Sequence, residues 1–257
     1  LRARAFGTLA FALLGTPLLA QSTLPPAEQY KFLVAYYYWK PTLTSQVRSS
    51  TTAVHGDLLD AKQDLGITDT STFQIFAVVQ LGLGQRLRGS YTKVDYSGNT
   101  FAPRPFTFNG VSYGMNNQVL TTIKGAYYQA AYENDFIKRS TGYLGFTIGG
   151  ELWSGTTSIT APEFGLASAA DVSVPVPTVG LTGRVYQGKF SFGGDASGLT
   201  IGDRGTAYDL NGAVQFHISD HLALEGGYRY VHINGQDNLN FLYFHQSGWH
   251  FGAELSI

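Results

Sequence analysis

The 257-residue chain has no cysteine, which removes disulfides, thiolate nucleophiles and Cys-ligated zinc together. It is also poor in charge, with 14% Asp, Glu, Lys and Arg against about 25% in ordinary soluble domains. A formal charge of −1 and the lack of a basic cluster argue against a nucleic-acid partner. Beyond residue 20, no run approaches the roughly 20 consecutive apolar residues that a membrane helix needs.

Aromatic side chains and two-residue alternation are abundant instead. From residue 206 to 235, Tyr208, Leu210, Val214, Phe216 and Ile218 share one face, while Asp209, Asn211, Gln215 and His217 share the other. In the last segment Trp249, Phe251, Ala253, Leu255 and Ile257 alternate with His250, Gly252, Glu254 and Ser256. Alternation alone fits a soluble barrel that is apolar inside or a membrane barrel that is apolar outside. A soluble barrel coats its exterior with Lys and Glu, and this chain has too few to do so. The expected fold is all-β: a closed antiparallel up-and-down transmembrane barrel of about ten strands, with eight or twelve as alternatives.

Residues 1–20 read as a cleaved signal peptide, with Arg2 and Arg4 before an apolar stretch and a small-residue site at Ala20. Residues 21–257 form the barrel domain. Strands are expected near 30–48, 72–83, 86–98, 117–134, 141–157, 173–187, 189–200, 205–218, 221–234 and 239–257. Connections after strands 2, 4, 6 and 8 are short, and those after strands 1, 3 and 5 are long. This suits periplasmic turns and outer loops. Asp57–Gly66 reads as a short helix or a structured loop segment. Aromatic residues gather near strand ends, at Tyr36–Trp39, Tyr127, Tyr128, Tyr132, Tyr228, Tyr230, Tyr243 and Trp249. Interfacial girdles are expected there, with some rings filling the lumen.

Several strings support a family resemblance: Asp64-Leu65-Gly66-Ile67, Arg86-Leu87-Arg88-Gly89-Ser90-Tyr91-Thr92, Phe108-Asn109-Gly110-Val111-Ser112-Tyr113, Gly142-Tyr143-Leu144-Gly145, Ser197 to Gly205, and Gly226-Gly227-Tyr228-Arg229-Tyr230. In this order the chain resembles a group of uncharacterised outer-membrane β-barrel proteins of Gram-negative bacteria. The resemblance implies fold and location, and brings no catalytic residue with it.

Arg88, Glu133, Glu151, Arg184, Asp195, Asp209, His217, Glu225, Arg229, His250 and Glu254 fall on the predicted lumen face. Enclosed charges must be paired or hydrated, so they read as an ion-pair network or, functionally, as the constriction of a narrow pore. Ten strands leave little room for a wide channel. His245-Gln246-Ser247 with a later Glu254 is similar to the His-x-Ser element of lipid A deacylases. Glu254 has the opposite parity, however, and should lie on the other face of the wall. His55, His217, His221, His232, His245 and His250 show no ligand spacing, so no metal is expected, and no motif points to a cofactor.

The functional expectation is a non-enzymatic, monomeric barrel with a structural or passive role, including a narrow small-solute pore. A lipid A hydrolase and a ligand-binding or adhesion barrel using its outer loops are the alternatives. Expected partners are outer-membrane lipids, lipopolysaccharide and the barrel-assembly machinery.

Overall fold

The computed structural model describes residues 24–200, 205–236 and 239–257. The signal-peptide expectation for residues 1–20 lies outside them. Thirteen strands are present among the described residues: β1 (Phe32–Ser49), β2 (Leu59–Asp60), β3 (Thr72–Gly82), β4 (Gln85–Phe101), β5 (Phe106–Phe108), β6 (Val111–Tyr113), β7 (Gln118–Arg139), β8 (Gly142–Ala161), β9 (Leu166–Gln187), β10 (Phe190–Thr200), β11 (Gly205–His217), β12 (Leu222–Gln236) and β13 (Asn240–Ser256). Ten of them, all except β2, β5 and β6, make an antiparallel wall in chain order. β13 closes it against β1, from Leu33 opposite Ser256 to Ser49 opposite Asn240. Closure pairs the backbone groups that an open sheet edge would leave exposed, as hydrocarbon demands.

Burial follows the alternation. Along β1, every second residue from Leu33 to Ser49 is buried and the outward residues are exposed or half-exposed. Ile148 and Leu152 on β8, Leu181 and Val185 on β9, Phe190 and Phe192 on β10, Val214 on β11, and Trp249 and Phe251 on β13 are all exposed large apolar side chains. They ring the barrel. Apolar surface of this extent is far beyond the few hundred Å² that a soluble monomer tolerates.

The tight connections at Leu83–Gly84, Ser140–Thr141 and Gly188–Lys189, together with residues 218–221, share the end that holds Phe32 and Ser256. This is the periplasmic end in barrels of this class. At the opposite end, the connection after β8 is four residues rather than the expected long loop. β8 and β9 pair continuously from Ala161 opposite Leu166 to Gly142 opposite Val185. A single turn at Pro162–Phe164, followed by Gly165 at φ 64°, reverses the chain.

β9 therefore begins seven residues earlier than the sequence suggests, and its prolines explain the difference. β10 meets β9 only from Val179 opposite Gly198 onward. Pro175 and Pro177 lie beyond that point, paired with β8 alone, where a missing N–H costs no ladder bond. Pro41 obeys the same rule, since β3 leaves β1 at Trp39 opposite Thr72.

Asp57–Gly66 is a structured loop segment. β2 pairs with Val47 and Gln46 of β1, and a single turn held by Asp64 N–H to Asp60 O (3.0 Å) follows it.

Candidate functional site

The lumen is built in layers from inward-facing residues. At the periplasmic mouth, a 3-10 turn at Pro26–Glu28 carries Glu28 into the barrel, leaving it 4% exposed. Arg86 Nη2 lies 3.0 Å from Glu28, and Arg86 also contacts Glu133 and, at 3.2 Å, Asp135. The Arg86 guanidinium sits 4.5 Å from the Tyr143 ring, and the Tyr186 hydroxyl donates to Glu28.

A second layer follows. Arg88 bridges Glu133 (3.1 Å) and Asp195 (3.3 Å). Arg184 lies 3.4 Å from Glu225 and 3.8 Å from Glu254. His250 Nε2 is 3.0 Å from Glu225, and the Tyr37 hydroxyl donates to Glu254 at 2.5 Å. His217 stands nearer the mouth, with its Nε2 2.9 Å from the Ser191 hydroxyl.

Above these, Arg229 grips Asp209 through Nε (3.0 Å) and Nη2 (2.5 Å). Gln129 Nε2 donates to Asp209 at 2.8 Å and to Glu151 at 3.0 Å, tying in the last of the predicted charges.

Next comes an aromatic septum. Tyr127 and Trp153 have ring centroids 4.3 Å apart, Phe244 is 4.8 Å beyond Trp153, and the Arg229 guanidinium is 5.1 Å from Trp39. Trp39 Nε1 donates to Gly248 O at 3.2 Å, which fixes the indole across the bore.

The outer mouth is filled by the two long loops. Leu59, Leu65, Ile67, Phe106, Phe108 and Tyr113 are all at most 3% exposed and pack with inward-facing Leu43, Val119, Ile159 and Ile233. The β5–β6 hairpin turns through Asn109 (φ 46°) and Gly110 (φ 82°). Asn-Gly is the pair best suited to two consecutive positive φ angles. The Tyr113 hydroxyl donates to Ile159 O at 2.9 Å, pinning this cap to β8.

The structure gathers the sequence-predicted charges into three linked groups: Arg88 with Glu133 and Asp195, Arg184 with Glu225, Glu254 and His250, and Arg229 with Asp209 and Glu151. Among the described residues, His217 makes no salt bridge and bonds instead to the Ser191 hydroxyl. Sequence reasoning missed Arg86, Asp135 and Glu28. Arg86 and Asp135 share parity with Arg88 and Glu133 and were open to the same argument. Glu28 precedes the first strand, where alternation carries no information. Tyr37, Trp39 and Tyr127 stand among girdle candidates but point inward, and all three are buried. Their neighbours Tyr36, Tyr38 and Tyr128 are exposed.

Within the lower layers, cavities of about 60, 50 and 80 Å³ remain, lined by these same charges. Ligand pockets measure about 300–1,000 Å³. The spaces suit a few water molecules. Among the described residues, no group of three or more His, Asp or Glu is arranged to hold a metal ion.

His245 and Ser247 lie on the outer face, whereas Glu254 is inside the wall against Tyr37. They cannot meet as a triad, because nucleophile, base and orienting acid must be within hydrogen-bond reach of one another.

A closed antiparallel barrel, apolar around its circumference and polar within, defines an integral protein of the bacterial outer membrane. No family model and no curated protein matches the chain by sequence. Among solved structures, it is similar to the outer membrane protease OmpT of Escherichia coli, at 9% identity over 88% of this chain and 96% of that one, with a TM-score of 0.59. It is also similar to the translocator domain of autotransporter NalP from Neisseria meningitidis (11% identity, 88% of each chain, TM-score 0.45). A further match is Ail, the attachment invasion locus protein of Yersinia pestis (10% identity, 89% of this chain and 99% of that one, TM-score 0.35). At these identities the OmpT likeness speaks for the fold alone.

Proposed function

We propose that the protein is a non-conducting outer-membrane barrel with a structural role, its lumen serving as a rigid core rather than a solute path. The observation that carries this reading is the septum of Trp39, Tyr127, Trp153 and Phe244, backed on its outer side by the buried cap of β2, β5 and β6. A solute entering from outside meets two consecutive packed layers. From the periplasm it meets Glu28 and Arg86, followed by paired charges.

The long loops support the same reading over loop-mediated adhesion. Residues 102–117 spend Phe106, Phe108 and Tyr113 on the cap, so the segment is committed to the barrel. An enzymatic role finds little support, since Ser247 and His245 are separated from Glu254 by the barrel wall, and the protease activity named for OmpT is not carried over by a likeness of fold.

Liposome swelling tests the proposal. Vesicles holding the refolded protein should swell in isotonic arabinose at the rate of protein-free vesicles, while a general porin in parallel swells fast. Sugar-size-dependent swelling with the wild-type chain would overturn it.

A further inference from the structure

A row of outward-facing side chains crosses β11, β12, β13 and β1 at one level: Tyr208, His232, His245 and Thr44, each directly opposite the next. Lys40 and Trp249 are paired in the same wall four residues nearer the periplasm, or about 14 Å along the strands. From that pair outward the exterior turns polar, through Thr42 and Ser247. The row therefore stands beyond the apolar band, within reach of water.

His232 and His245 are distant in sequence and meet only through the β12–β13 register. Directly opposed Cβ atoms stand about 4.5–5.5 Å apart, and the two ring centroids are 6.4 Å apart at 50°. One ion about 2 Å from each ligating nitrogen bridges rings so placed after side-chain rotation alone. Tyr208 stacks on His232 at 4.7 Å, Tyr243 meets His232 edge-on at 5.2 Å, and Tyr230 lies 4.4 Å from His245.

An interfacial girdle needs rings, not imidazoles. His232 is 9% exposed, and the Nδ1 atoms of both histidines are buried without a hydrogen-bond partner. That is a desolvation cost which Phe at either position would avoid. A lone pair on such a nitrogen is what a metal ion takes up. Among the described residues, the rows on either side carry no charged side chain, so no fixed cation repels the ion.

We propose that His232 and His245 form a two-histidine chelate on the outer rim for a late first-row divalent metal, copper(II) ahead of zinc(II). Imidazole suits both ions, and copper(II) leads the affinity order at nitrogen sites. The remaining coordination positions face the medium. The site does not depend on whether the lumen is sealed.

The test titrates the refolded, tag-free chain in detergent micelles with copper(II) chloride. The wild type should take up a single equivalent, and its electron paramagnetic resonance spectrum should show coupling to two imidazole nitrogens. His232→Gln and His245→Gln should each lose this uptake while keeping the heat-modifiable gel migration of a folded barrel. His55→Gln and His221→Gln, at exposed histidines elsewhere, should bind like the wild type. Zinc(II) in excess should displace the copper. The wild-type spectrum is read without any variant, so the test stands even where a substitution prevents folding. Three results would each overturn the proposal: no saturable uptake by the wild type, a spectrum with fewer than two imidazole nitrogens, or uptake that survives in His232→Gln and His245→Gln.

Discussion

Arg229 and Asp209 form a bidentate pair, Nε to Oδ1 at 3.0 Å and Nη2 to Oδ2 at 2.5 Å, directly beneath the Trp39 ring. Both side chains are at most 5% exposed, so removing one leaves the other's charge buried without its counter-ion. Arg229→Ala should cost about 3–5 kcal/mol, whereas Arg229→Met/Asp209→Leu should cost less, because neither charge is then left buried alone and Gln129 keeps Glu151 as a partner. Urea unfolding of the refolded barrel checks this. A double variant as unstable as the single one would contradict it.

Arg86 serves three carboxylates, Glu28, Glu133 and Asp135. Arg86→Met leaves a cluster of like charges around one buried point. Glu28→Gln instead removes one anion and keeps hydrogen-bonding atoms in place. The midpoint of heat-induced unfolding should fall much further for Arg86→Met, and a larger drop for Glu28→Gln would contradict the layered assignment.

The three tryptophans report on opposite faces of the wall. Trp39 and Trp153 are 1% and 6% exposed, while Trp249 is 61% exposed. Brominated phospholipids should quench Trp249 and spare the other two. Trp249→Phe should therefore abolish most of the quenching, and Trp39→Phe should not. Quenching that survives the loss of Trp249 would place the wrong face in lipid.

Close backbone approach makes Gly248 hard to replace. A Cβ there would stand 2.1 Å from Lys40 O, whereas at Gly212 nothing lies within 4 Å. Gly248→Ala should cost about 1–3 kcal/mol through strain in the wall, and Gly212→Ala should fall within about 0.5 kcal/mol of the wild type. Equal stabilities in chemical denaturation would contradict this.

Strands announced themselves in the sequence because one face of each must be apolar. β10, expected at 189–200 and found at Phe190–Thr200, needed nothing more than alternation and a glycine turn. The start of β9 was hidden, because Pro175 and Pro177 read as breakers until β10 is seen to stop short of them. The same pattern places inward charges such as Arg229, yet it cannot say which partner each one finds, since pairing depends on register and shear. Parity likewise places Arg86 and Asp135 on the lumen face beside Arg88 and Glu133. The cap was the least legible part. Leu59, Leu65 and Phe106 belong to loops without strand periodicity, and only the Asn109-Gly110 pair, flanked by Phe106-Thr107-Phe108 and Val111-Ser112-Tyr113, signalled the β5–β6 hairpin.

The interior also predicts how a breached barrel would behave. Four arginines, Arg86, Arg88, Arg184 and Arg229, face eight carboxylates: Glu28, Glu133, Asp135, Glu151, Asp195, Asp209, Glu225 and Glu254. Opening the septum and cap together, by Trp39→Ala/Trp153→Ala/Phe244→Ala with residues 103–116 replaced by a short glycine-serine linker, should yield a cation-selective leak. A reversal potential favouring anions would contradict the charge assignment.

Single-channel recording on the wild-type chain in planar bilayers tests the sealed lumen most directly. Refolded protein, shown to be inserted by its resistance to carbonate extraction, should give a flat baseline in 1 M KCl at moderate voltage. Reproducible unitary steps from that same preparation would show that ions pass Trp39 and Trp153, and the sealed barrel would have to be abandoned.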